Sequence, residues 1–188
     1  VFEATVGSNK HRKRNSSSNS YPSDLSPTQW ALIQTHVPLP RPGGRPRSTD
    51  MHSAINAMFY LNRTSCQWRQ LPHEFPPWET VYRYFRRFSR DGTWESINGS
   101  LREKVRISDG RKPTPSAGII DSQNVKIAHR GVMTGYDAGK NVKGRKRHII
   151  VDTIGMILAV AIHSADIQDR DGAKLVIAKL MKRFPRLR

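Results

Sequence analysis

Between residues 21 and 106, apolar side chains return at three- and four-residue intervals; beyond residue 117 they come in short runs and alternations. The first pattern predicts helices and the second strands, so the chain reads as an α+β protein with its helical part first. YPSDLSPTQWALI (21–33) holds a complete helix start. Ser26 stands at the N-cap, Pro27 suits the first helical position, and Gln29 closes a capping box. Leu25 and Trp30 are spaced as a hydrophobic staple. A short helix over about 27–36 follows, broken by the prolines and glycines of VPLPRPGGRPR (37–47). With its three arginines, that stretch is either a connector or an arm for phosphate or the minor groove.

Met51, Ala54, Ile55 and Met58 predict the next helix, with Ser48 or Thr49 as its cap. After the prolines of LPHEFPPW (71–78), ETVYRYFRRFSR (79–90) carries two stripes at helical spacing. Val81, Tyr84, Phe85 and Phe88 form an apolar face; Arg83, Arg86, Arg87 and Arg90 form a basic face opposite. The apolar stripe is core. The basic one is either a solvated face or the side that a helix-turn-helix-like module lays against a duplex. Trp94, Ile97, Leu101 and Val105 continue a helix to about 106, and SDGRKPTPS (108–116) reads as a linker. AGIIDSQNV then reads as a strand, and RHIIVDT (147–153) and MILAVAIH (156–163) as a hairpin turning at Ile154-Gly155. DRDGAKLVIAKLMKRF (169–184) reads as a helix. The organisation expected is a basic, Ser-rich disordered tail over 1–20, a helical region over 21–107, the linker, and an α/β part over 117–188.

Charge gives this layout a direction. The chain carries 32 Lys and Arg against 15 Asp and Glu, a net +17. Residues 111–188 hold +10 of it, from 16 basic and 6 acidic side chains. Such a field attracts polyanions and points to nucleic acid, although a generally basic protein of another kind shares it. A single cysteine, Cys66, excludes an internal disulfide framework and a Cys-rich zinc site. No apolar stretch approaches the ~20 residues that span a bilayer, and VFEATVGSN followed by HRKR lacks a signal-peptide core. A cytoplasmic, nucleoid-associated protein with no membrane contact is expected.

Several motifs fail on inspection. AGKNVKGRK lacks the P-loop pattern, DRDG (169–172) misaligns with a calcium loop, and the histidines show no H-x-x-x-H pairing. What survives is Asp121, delivered by the apolar run Ala117-Gly118-Ile119-Ile120, with the cationic run Lys140, Lys143, Arg145, Lys146 and Arg147 ahead of a strand that should pair beside it. In phosphodiester chemistry carboxylates hold divalent metals, and flanking Lys and Arg grip the backbone phosphates. Alone, a strand-end Asp is either a turn residue or such a ligand.

YPSDLSPTQW, RPGGRPR, CQWRQLPHEFPPWETVYRYFRRFSRDGTW, IIDSQNVK, GYDAGKNVKGRKRHIIVDTIG and HSADIQDRDGA resemble, in order, the bacterial DDE transposases of the insertion-sequence-five family. The resemblance covers essentially residues 21–188. It implies a helical DNA-binding region followed by a partial ribonuclease H-like domain. It also implies Mg²⁺ (or Mn²⁺) chemistry in which water cuts the element's ends and the freed 3′-hydroxyls attack target DNA. Double-stranded DNA, as terminal repeats and target, is the implied partner, bound by a homo-oligomer. Asp121 matches the family's first catalytic Asp, and the second Asp and the Glu would fall after Arg188. Asp166, Asp169 and Asp171 match a family string at a helix start, where acidic residues meet the helix dipole. They are not promoted as substitutes, and neither is Asp152. The implied activity is therefore that of an inactive fragment of a transposase; the alternative is a non-enzymatic DNA-binding protein or regulator derived from one.

Overall fold

The structure is a computed structural model that describes residues 20–40, 42–43, 46–127, 133–181, 183–184 and 187. The Ser-rich tail, apart from Ser20, and Arg41 and Arg45 of the proline-rich arm lie outside the described residues. The chain divides into two compact units between Asp91 and Gly92.

The first unit is helical. Helix α1 (Pro27–Ile33) begins as its sequence dictates: Ser26 Oγ accepts from the Gln29 amide at 3.2 Å and the Gln29 side chain accepts from the Ser26 amide at 2.9 Å. A 3₁₀ turn, Gln34–His36, completes the helical stretch. Helix α2 (Met51–Thr64) is capped by Asp50 rather than Ser48 or Thr49. Its carboxylate takes the amides of His52 and Ser53, and a negative cap also favours the helix dipole. Met51, Ala54, Ile55 and Met58 are buried as expected, and Ala57 joins them. Helix α3 (Trp78–Arg90) buries Val81 and Phe88 and half-buries Tyr84 and Phe85, while Trp68 packs on Tyr82 and Phe85.

The second unit is α+β with an antiparallel sheet. It opens with helix α4 (Thr93–Ser108), which the sequence had grouped with the helical region ending at 107. Two arginines tie α4 to the sheet. Arg106 Nη1 meets Asp152 Oδ2 at 2.5 Å, both buried, and Arg102 Nη1 donates to the Ile157 carbonyl at 3.5 Å with its guanidinium over the Phe184 ring at 4.9 Å. A helical period cannot reveal such long-range partners, which is why the unit boundary falls earlier than the linker.

Four strands follow: β1 (Gly118–Lys126), β2 (Gly135–Asp137), β3 (Val142–Asp152) and β4 (Ile157–Ser164). β3 is central, with β1 along one edge and β4 and β2 along the other, all antiparallel. The hairpin turns where expected, with Gly155 at φ +82° and its amide returning to the Asp152 carbonyl at 3.0 Å. β3 starts five residues before the expected position 147, so the cationic run from Lys143 onward is itself strand. Pairing with β1 and β2 overrides the weak strand propensity of Lys, Gly and Arg there.

Helix α5 (Asp169–Met181) covers one face of this sheet. Val176 and Leu180 pack with Phe184 on Ile150, Leu158 and Ala161. Nearer its start, Gly172 rests on two imidazoles; a Cβ there would collide with His148 and His163. Those rings are buried, stacked at 5.0 Å, and joined from His148 Nδ1 to His163 Nε2 at 2.9 Å. His163 Nδ1 lies 2.7 Å from the Ser164 carbonyl, which can only accept. His163 therefore carries its proton on Nδ1 and accepts at Nε2 from His148.

Burial, with His163 opposite and Lys146 near, lowers the His148 pKa against the pull of Asp169. A depressed histidine favours the neutral form in the folded state. Its stabilising contribution is complete above the ordinary value of about 6.5 and is lost as the pH falls below it. Melting curves across this range should show a falling midpoint, and His148→Leu should lack that segment of the pH dependence. At the buried Arg106–Asp152 pair, Arg106→Met leaves Asp152 enclosed with only the Ile154 and Met156 amides as partners. Denaturant titration should register a loss of about 3–5 kcal/mol.

Candidate DNA and metal site

Strand pleating decides what surrounds Asp121. Paired residues share a face, so the register Asp121↔Ile149, Gln123↔Arg147 and Val125↔Arg145 places these six on the face opposite α5. Ser122↔His148 and Asn124↔Lys146 face α5. Asp121 is exposed, and its Oδ1 accepts from the Ser122 amide at 2.8 Å. Arg145 and Arg147 are exposed on the same side, as is Lys143 further along β3. Arg147 Nη2 donates to Gln123 Oε1. Nothing local singles out Gln123, because the relevant signal is the β1–β3 register.

The rest of the cationic run goes elsewhere. Lys146, expected to contact phosphate, is 3% exposed on the α5 side. Its ammonium meets Asp137 Oδ2 at 2.9 Å, Asp169 Oδ1 at 2.8 Å and the Ile167 carbonyl at 2.9 Å. Those three acceptors match its three protons, so it has nothing to offer an outside anion. Burial pushes the ammonium pKa down, but Asp169 and Asp137 outweigh it, and the value lies above the usual one. Asp137, bonded first by Asn124 and then by Lys146, is held far below the carboxylate range. Lys140 stands in the turn after β2, exposed, with Nζ 3.5 Å from Asp169 Oδ2. An exposed pair of that length contributes little and leaves Lys140 usable.

The remaining carboxylates do not converge on Asp121. Asp169 receives Lys146 and the Ser122 hydroxyl on the covered face, and the Lys146 bond is the main reason its pKa is lowered. Asp171 pairs with Lys174 at 2.8 Å. Asp166 follows β4 and is held low chiefly by Ser164. Asp152 is committed to Arg106. Among the described residues no group of three or more His, Cys, Asp or Glu could hold a metal ion. Mg²⁺ takes six oxygens in near-octahedral geometry, commonly with one or two carboxylates and several waters. Asp121 can serve as one such ligand, but the described residues do not make a two-metal centre.

In the helical unit, Arg83, Arg86 and Arg90 are exposed along α3 and Arg87 is half-buried. Together with Tyr82 and Asp91 they line one groove. Arg87 makes a 3.5 Å pair with Asp91. The stripe read from the sequence is thus a real surface on the side away from Val81 and Phe88. Among the described residues no helix is long and apolar enough to cross a membrane.

Two family models match the chain. Residues 25–98 match the family described as "Putative transposase of IS4/5 family", and residues 112–188 match "Transposase DDE domain". No curated protein and no solved structure matches it. Proteins with the DDE domain generally use divalent metal ions. The two matches run in the order of the two units and take in both the arginine stripe and the Asp121 strand: the chain belongs to the IS4/5 family of DDE transposases.

Proposed function

We propose that this chain binds double-stranded DNA, at insertion-sequence terminal repeats and at the target, and that Asp121 is the first carboxylate of a metal-dependent strand-cleavage and transfer centre on a ribonuclease H-like sheet. The observation that carries the reading is the β1–β3 register, which sets Asp121 on the uncovered face beside Arg145 and Arg147. A carboxylate is a poor neighbour for phosphate unless a cation lies between them, and the arginines supply the grip further along the same face. Lys140 and Lys143 extend that grip, and in the helical unit Arg83, Arg86, Arg87 and Arg90 offer a helix-turn-helix-like face to a duplex. A divalent cation would supply charge neutralisation at the scissile phosphate. The chain's own contribution is to bind the backbone, orient it and hold one oxygen ligand at Asp121. The second reading is a DNA-binding regulator without strand cleavage, favoured by the lone carboxylate on this face among the described residues.

Binding of a labelled duplex over a salt series tests the first part. Replacing all four α3 arginines with Ala should flatten the log–log salt slope by about three to four units. Lys143→Ala should flatten it by about one, whereas Lys146→Met should leave the slope alone and lower the melting temperature. A slope indifferent to the arginines would remove the DNA role of α3. For the chemistry, the chain alone with Mg²⁺ or Mn²⁺ and terminal-repeat DNA should cut little or not at all. Robust cutting abolished by Asp121→Ala would establish a complete centre and eliminate the regulator reading.

A further inference from the structure

Gln123 and Arg147 face each other across β1 and β3 on the uncovered face, both exposed and joined by a hydrogen bond. Because a guanidinium only donates, the amide must turn its oxygen to Arg147. That orientation leaves the Gln123 NH₂ with two outward donors beside the remaining N–H groups of Arg147. The exposed Ile162 flanks Arg147 on the β4 side and brings no competing acceptor. Two planar groups, already fixed to each other, thus present donors alone. The ligand that matches such a surface is an acceptor-only oxyanion with two adjacent oxygens, and in a +10 segment the non-bridging oxygens of a phosphodiester fit. Asp121 lies two residues before Gln123 on the same face, roughly 7 Å along the strand. Successive phosphates of one DNA strand advance about 3.4 Å along the helix axis, so that interval corresponds to one or two nucleotides.

We propose that Gln123 and Arg147 form a preassembled subsite for the DNA phosphate one or two nucleotides from the one addressed at Asp121. The proposal rests on the DNA-binding reading above and adds its geometry: Gln123 positions Arg147 and binds phosphate with it. Lys146 plays no part, since its ammonium is consumed on the other face.

The test is binding of a labelled random-sequence duplex across a salt series without divalent metal, since phosphate contacts carry no sequence information. Gln123→Glu places a carboxylate that captures Arg147 and repels phosphate. It should weaken binding on the order of tenfold and lower the salt slope by about one, as Arg147→Ala does. Gln123→Ala keeps the charge and should lose about two- to threefold with the slope unchanged. Arg147→Lys should also keep the slope yet lose affinity, because a point charge cannot reproduce the planar pair. Gln123→Glu binding as tightly as the unaltered chain, or Arg147→Lys doing so, overturns the subsite. If the unaltered chain binds no duplex, the DNA reading itself fails; if it binds and responds to the α3 arginines but not to Gln123→Glu, only the subsite fails.

Discussion

The two-residue alternation of β3 is the constraint on which the sheet unit depends. Gly144, Lys146, His148, Ile150 and Asp152 point toward the helices, and Lys143, Arg145, Arg147, Ile149 and Val151 point away. Nine cross-strand pairs with β1 and seven with β4 fix that phase. A slip of one residue would turn Arg145 and Arg147 under α5 and expose Ile150, leaving unpaired charge buried where apolar packing now stands. The same pleat therefore separates the residues that hold the fold from those left for a ligand.

Each polar side chain on the inner face of β3 fastens neighbouring elements to it. Lys146 binds Asp137 at the end of β2 and Asp169 at the start of α5. His148 joins β4 through His163 and meets α5 at Gly172. Asp152 receives Arg106 from α4 and the amides of its own turn. Buried ion pairs contribute little net stability over apolar packing, but breaking one is expensive. Their effect here is to make each element fit at one place along β3, while Ile150, Leu158, Val176 and Leu180 supply the apolar burial.

Much of this was legible from local signals. The Ser26–Gln29 box, the apolar stripe of α3, the hairpin at Gly155 and the strand bearing Asp121 are all encoded within a few residues of where they act. What escaped was set by distant partners. Asp50 competes with two neighbouring residues for one cap, and β2, at three residues, is too short to show a period. The run from Lys140 to Arg147 looked uniform because charge counting has no phase. Only once Gly144 is known to sit between Lys126 and Gly135 do alternate members of that run part company. Of the candidate site, Asp121 and the exposed Lys143, Arg145 and Arg147 were readable, while Gln123 and the diversion of Lys146 required the register.

The enclosure of Lys146 also sets its chemistry apart from that of its neighbours. An amine attacks electrophiles through a lone pair, which it gains only by giving up a proton. Here each proton is held by an oxygen and the two carboxylates oppose its loss. Acylating or alkylating agents will therefore find Lys140 and Lys143 and pass over Lys146. Any modification that silences lysine charge here reaches Lys140 and Lys143 while leaving the strand's own attachment to the fold intact.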